Sequence, residues 1–114
     1  MHDLEKPFKA LSDSNRLRIL NMLAEKPLCV CEIAAVLGLA VSTVSKHLSI
    51  LRDAGFIEDR KDAKWVNYSL AVHSGPSLTE DLAVLVRRQT LDDPMFFADR
   101  EKLKTVDRNS LCRP

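Results

Sequence analysis

The amino-acid sequence predicts a mainly α-helical domain carrying one small β-hairpin, and three observations lead there. Apolar residues recur at helical spacing through most of the 114-residue chain. Pro27, Gly38, Gly55 and Gly75-Pro76 punctuate those stretches. Only "FIEDRKDAKWVNYSL" switches to a period of two. The aromatic content is 5%, so the core must come mostly from Leu, Ile, Val and Ala, which suits helices. One domain fits the length. So small a domain buries a limited core, and a dimer interface is a natural source of further burial.

Taken in order, "DLEKPFKALSD" carries Leu4, Phe8 and Leu11 as a helical stripe, with Pro7 tolerated in a first turn or at a kink. In "SDSNRLRILNMLAEKP", Asp13 or Ser14 supplies an N-cap. Leu17, Leu20 and Leu23 recur beside Ile19, and Pro27 stops the helix. "CVCEIAAVLG" presents Ile33, Val36 and Leu37 on one face and ends at Gly38, suited to a C′ position of positive φ. "LAVSTVSKHLSILRDAG" turns Val44, Leu48 and Leu51 inward and Ser42, Ser45, Lys46, Ser49 and Arg52 outward, ending at Gly55. Two short strands follow around a charged turn at "RKDAK", with Val66, Tyr68 and Leu70 alternating with Trp65, Asn67 and Ser69. "SLTEDLAVLVRRQ" returns to helix, with Leu78, Leu82, Leu85 and Val86 on one face. Pro94 then separates a tail whose "FADREKLKTV" reads as a last helix.

Two helices joined by a short glycine-containing turn and followed by a two-stranded ribbon read as a winged helix-turn-helix. On this basis residues 1–93 are expected to form a winged helix-turn-helix DNA-binding and dimerisation domain, and 94–114 a C-terminal tail, part of it helical. Formal net charge is +1. That excludes a grossly basic nucleic-acid coat and leaves room for a local basic patch. No apolar run reaches the ~18 residues of a spanning helix, and "MHDLEKPFKA" lacks the apolar region of a signal peptide. The expectation is a cytoplasmic protein with no membrane partner. In that compartment three cysteines point to metal binding, redox sensing or simple core packing rather than a disulfide framework.

The pair Cys29 and Cys31 raises a geometric question. On a regular helix, positions i and i+2 diverge by about 200°. If Cys29 is the N-cap, its backbone lies outside the helix and the two thiols need not diverge so far. Glu32 then sits at N3, where its carboxylate reaches back to the cap N–H. The positive end of the helix dipole there favours thiolate, the form that ligates soft ions. Bridging both sulfurs with one ion still distorts the first turn, which leads straight into the next helix. The plainer reading is a buried, inert cysteine.

The stretch from residue 11 to residue 70 resembles the arsenic-repressor (ArsR) family of metal-responsive transcriptional repressors. "SDSNRLRIL", "CVCEIA" and "TVSKHLSILRDAGFI…WVNYSL" carry the resemblance in continuous order. The resemblance implies a symmetric homodimer of winged helices that binds a palindromic double-stranded operator. It also implies release when As(III) or Sb(III) binds as inducer, and no enzymatic activity. The chain departs from the family pattern at Ala34, where many members carry a third cysteine. Ala40 and Val41 stand where a serine cap and a glutamine are usual, and Asp62-Ala63 where the wing turn often has glycine. As(III) prefers three thiolates in this family, and Cys112 is the remaining candidate ligand, from its own or the partner chain. The alternatives are a tail cysteine without a ligand role, or a two-thiolate site completed by an exogenous thiol or water. Zinc-sensing relatives use Asp and His on the last dimer helix, whereas "SLTEDLAVLVRRQTLDD" has no histidine. His2 and His73 are assigned no ligand role.

A recognition helix places its N-terminal residues near base edges. Ser42, Thr43, Ser45 and Lys46 occupy that end, with His47 beside them either touching DNA or packing toward the wing; Ser42 has capping as its alternative. Arg60, Lys61 and Lys64 at the hairpin tip are candidate phosphate or minor-groove contacts, against the plainer reading of a solvated turn. Arg16 and Arg18 are further phosphate candidates or surface ion pairs. The dimer interface is assigned to Leu4, Phe8, Leu11, Leu78, Leu82, Leu85 and Val86. Three rivals stand beside this reading. One is the same dimer sensing another thiophilic ion (Cd, Pb, Zn) or redox state. Another is a thiol-exchange protein or metallochaperone, although the βαβ pattern usual there is missing. The last is a winged helix that binds protein rather than DNA.

Overall fold

Asp13 opens the central helix as the sequence predicts: its carboxylate accepts from the backbone N–H of Asn15 at 2.8 Å and of Arg16 at 3.1 Å. In the computed structural model, which describes residues 4–111, this helix is the second of seven. The order is α1 (Glu5–Ala10), α2 (Ser14–Glu25), α3 (Val30–Leu37), α4 (Val41–Asp53), β1 (Ile57–Asp62), β2 (Trp65–Leu70), α5 (Leu78–Thr90), α6 (Pro94–Leu103) and α7 (Arg108–Leu111). Gly38 caps α3 in the left-handed region at φ 71°, a conformation that costs a side-chain-bearing residue free energy. Helices α3 and α4 then meet at a bend of 112°, the geometry of a helix-turn-helix. No single helix among the described residues is long and apolar enough to cross a membrane.

The inward faces of α2, α3 and α4 make the core. Ile19 and Met22 meet Leu28, Ile33, Val36, Val44, Leu48 and Leu51, all essentially sealed from solvent. Burial of each such side chain contributes about 1.5–3 kcal/mol. Strands β1 and β2 pair antiparallel, from Ile57 opposite Leu70 to Asp62 opposite Trp65. This leaves a two-residue turn, Ala63-Lys64, tighter than the expected "RKDAK" loop. Arg60 and Lys61 therefore lie on β1 rather than in the turn. Ala63 takes φ 54°, where a glycine is less strained. Leu28 adds a one-residue bridge on the other side of β2: its N–H donates to the Tyr68 carbonyl at 3.0 Å and its carbonyl accepts from the Tyr68 N–H at 2.8 Å.

The segment after Thr90 starts its helix earlier than "FADREKLKTV" suggests, because Asp93 caps it and Pro94 takes the first helical position. Phe96, Asp99 and Leu103 of α6 are buried. Asp99, 1% exposed, accepts from Arg18 Nε and Nη2 at 2.8 Å each, a bidentate pair. Arg100 Nη1 donates to the buried Asn21 Oδ1 at 3.2 Å. Helix α6 is thereby fastened along α2. Helix α5 is amphipathic in sequence yet contains no buried residue.

Candidate functional site

The first turn of α3 is built as the spacing of Cys29 and Glu32 predicts. Cys29 is the N-cap, with extended backbone at φ −89° and ψ 164°. The capping box closes in both directions: the Cys29 side chain takes the N3 backbone N–H, and the Cys29 N–H donates to Glu32 Oε1 at 2.9 Å. Cys29 is 3% exposed. Cys31, the second residue of the helix, is half-buried and is in the disulfide state. The expected bias of the helix dipole toward thiolate does not prevail at Cys29. Burial pushes its thiol up from the ordinary value of 9.0, against the opposing effect of the Glu32 backbone N–H. Cys112 lies outside the described residues, as does His2. Among the described residues, no group of three or more His, Cys, Asp or Glu could hold a metal ion together.

Glu32 also meets a residue that sequence reasoning missed. Arg108 Nη2 donates to Glu32 Oε1 at 2.9 Å and to Asn67 Oδ1 on β2 at 2.9 Å. Its guanidinium lies 5.2 Å from the centre of the Trp65 ring. No local pattern announces this, since 76 residues separate Arg108 from Glu32.

Helix α4 projects the other half of the site. Its N-cap is Ala40, with no side-chain cap, so Ser42 sits inside the first turn and does not cap. Ser42, Thr43, Ser45 and Lys46 are all exposed on one end of the helix. His47 is placed differently from expectation: it is half-buried, with Nδ1 3.1 Å from Arg16 Nη1. Arg16 itself donates from Nε to the Ala10 carbonyl at 2.6 Å. Arg16 and His47 thus join α1, α2 and α4, and Arg18 is committed to Asp99. Neither arginine is presented for a phosphate. On the wing, Arg60, Lys61 and Lys64 are exposed, and Lys64 Nζ lies 5.5 Å from the Trp65 ring centre. Asp59 is drawn to Arg52 of α4 at 3.6 Å, removing one anion from among these cations. His73 is satisfied locally, its backbone N–H on Glu80 and its Nε2 3.2 Å from Thr79 Oγ1.

The residues assigned to a dimer interface divide. Leu4, Phe8, Leu78 and Leu85 are exposed, Phe8 at 53%. Leu11 and Leu82 pack partly against the core, and Val86 is half-buried.

A bent helix pair, a two-stranded wing and a polar, cationic helix end define a winged helix-turn-helix regulator. The description "Bacterial regulatory protein, arsR family" matches residues 13–59. The chain is 43% identical over 103 residues to the arsenical resistance operon repressor of Escherichia coli K12, spanning 90% of this chain and 80% of that one. It belongs to the arsR family, whose members are transcriptional regulators rather than enzymes. It is also 44% identical over 69 residues to a cadmium resistance transcriptional regulatory protein CadC homolog of Staphylococcus aureus, covering 60% of this chain and 57% of that relative. Among solved structures, it superimposes on the homodimeric winged helix-turn-helix DNA-binding domain of Mb0332 from Mycobacterium bovis, a possible ArsR-family regulator. The TM-score is 0.66 and the identity 29%, over 79% of this chain and 77% of that one.

Proposed function

We propose that this regulator is a homodimeric repressor that binds operator DNA and releases it when As(III) or Sb(III) is captured by Cys29 and Cys31. The observation that carries the reading is the placement of Cys29 at the N-cap of α3, the eight-residue helix that runs into the helix-turn-helix bend. Outside the helical sweep, its sulfur can converge with that of Cys31 on one soft ion. Convergence and the closed capping box compete, because the Cys29 side chain already takes a backbone N–H of the first turn. An ion that binds the opened turn better than the closed one shifts the protein toward the opened state. The described residues offer the Cys29 thiol and, once it is reduced, that of Cys31. A third ligand comes from Cys112 or from an exogenous thiol or water. The match to an arsenical repressor runs over 103 residues, against 69 for the cadmium regulator at nearly the same identity, and this favours As(III) and Sb(III) over cadmium. Ligation requires the reduced Cys31 thiol. The disulfide state of that residue supports a second reading, in which oxidation also triggers release.

In the bound state, Ser42, Thr43, Ser45 and Lys46 read the major groove, and Arg60, Lys61 and Lys64 contact the backbone beside it. His47 orients the reading helix through Arg16. The exposed Leu4, Phe8, Leu78 and Leu85, with an α5 that buries nothing in the monomer, form the partner-facing surface. The test is operator binding titrated with a panel of ions under reducing conditions, with sedimentation alongside. Release at the lowest concentration by As(III) or Sb(III) from a dimer supports the reading. Release by Cd(II), Pb(II) or Zn(II) alone, or a monomer at micromolar concentration with and without DNA, contradicts it.

A further inference from the structure

We infer that Arg108 is the positioning residue that couples the Cys29 turn to the wing, and that inducer capture acts on DNA through it. The inference rests on the reading of Cys29 and Cys31 as the inducer site. One oxygen is the node. Glu32 Oε1 accepts from the Cys29 N–H at 2.9 Å and from Arg108 Nη2 at 2.9 Å. Nη2 carries two hydrogens, and its second partner is Asn67 Oδ1 on β2, also at 2.9 Å. The path from the Cys29 backbone to the wing is therefore three hydrogen bonds long: Cys29 to Glu32, Arg108 to Glu32, and Arg108 to Asn67. The guanidinium face lies 5.2 Å from the ring centre of Trp65, the first residue of β2 after the wing turn.

The network is shielded enough to transmit a displacement. The Glu32 side chain is 7% exposed and that of Arg108 is 24% exposed, so water cannot fully replace either partner when one moves. A backbone link runs in parallel, since Leu28, the residue before Cys29, forms its bridge with Tyr68 of β2. Together these tie one side of the Cys29 turn to two consecutive residues, Asn67 and Tyr68, of a single wing strand. Drawing the Cys29 and Cys31 sulfurs together rotates the Cys29 N–H away from Glu32 Oε1. The carboxylate then reorients, and Arg108 cannot keep its bonds to both Glu32 and Asn67. The wing, with Lys64 next to Trp65, loses its fixed position against α3.

Trp65 is the sole tryptophan of the chain, so its emission reports the state of this contact without labelling. The experiment uses the full chain, reduced, with arsenite as the probe. It measures three quantities: As(III) binding by thiol protection, operator affinity with and without As(III), and Trp65 emission. In the parent protein, As(III) is expected to weaken operator binding and change Trp65 emission together. Arg108→Ala should bind As(III) but lose at least about 5-fold of the ratio between the two operator affinities, the lower range of allosteric coupling. Its Trp65 emission should start displaced and no longer respond. Arg108→Lys keeps the charge but not the two fixed donor directions and planar face, and should show the same loss while preserving the fold if Arg108→Ala does not. Parent-like coupling and emission response in Arg108→Lys, or in a folded Arg108→Ala, overturns the inference and leaves the inducer site intact. Parent protein indifferent to As(III), or a Cys29→Ser, Cys31→Ser protein that still responds, overturns the inducer reading and the coupling with it.

Discussion

The first turns of α3 and α4 begin eleven residues apart and are built in opposite ways. At α3 the N-cap is buried, its capping box is closed, and the carboxylate that closes it is ion-paired to Arg108. At α4 the N-cap is Ala40, no side chain caps the helix, and Val41, Ser42 and Thr43 are all exposed. One turn is satisfied from within; the other leaves backbone N–H groups and hydroxyls for something outside the chain. The difference suits a molecule that senses at the first and reads at the second. A change at α3 breaks existing bonds, whereas α4 has groups ready to form new ones with a phosphate or a base edge.

The largest expected effect comes from opening the closed turn. Glu32→Ala removes the acceptor of the Cys29 N–H and leaves Arg108 without its carboxylate. Urea unfolding should show a loss of about 2–3 kcal/mol. A loss below about 0.5 kcal/mol would mean that the α3 turn is not held by this network. Next is the reading end. Lys46→Ala should weaken operator binding by about 1–3 kcal/mol, roughly 5- to 150-fold, and alter base preference while leaving stability unchanged. Lys64→Ala should weaken all sequences alike and lower the salt slope by about one unit. Identical salt series for both variants and the parent would displace the DNA face from α4 and the wing.

A smaller change sharpens the contrast directly. Ala40→Ser supplies the missing cap on a residue whose backbone, φ −65° and ψ 147°, already suits one. It should stabilise the protein by about 1 kcal/mol in urea. The matching substitution at the closed turn, Cys29→Ala, should destabilise. The smallest effect concerns pH. Burial raises the Cys29 thiol above 9.0, so its contribution to stability is complete below pH 9 and is lost as pH rises toward the raised value. Cys29→Ser should flatten the fall in stability that begins above pH 9. The half-buried Tyr68, also raised by burial from an ordinary 10.0, acts at higher pH in both proteins.

Local devices were legible in the sequence because they act across three or four residues. Asp13 as cap, Cys29 with Glu32, and Gly38 at the end of α3 each announce themselves by residue type and spacing. The inward faces of α3 and α4 were legible from periodicity. Long-range polar pairs were not. Arg18 and Asp99 are 81 residues apart, and Arg16 and His47 are 31 apart. Nothing in the pattern of a solvent-facing arginine distinguishes a free cation from one committed to a distant carboxylate. The wing turn was blurred for another reason, since Ala63 occupies a positive-φ position that glycine usually marks. The burial of Cys29 was one of two readings left open. Its position as a cap favoured thiolate and the plainer reading was a buried cysteine, and Leu28 beside it, drawn into the ribbon, takes the turn inward with it.

The most direct test of the account is fluorescence anisotropy of labelled operator titrated with As(III) under reducing conditions, comparing the parent with the Cys29→Ser, Cys31→Ser double variant. Serine keeps the shape and replaces a soft ligand by a hard one. Both proteins should bind operator with similar affinity, and only the parent should be released. Cys112→Ser in the same titration reports on the third ligand: a weakened response assigns it to the tail, and an unchanged one leaves two thiolates. Normal release of the double variant by As(III) would contradict the central claim.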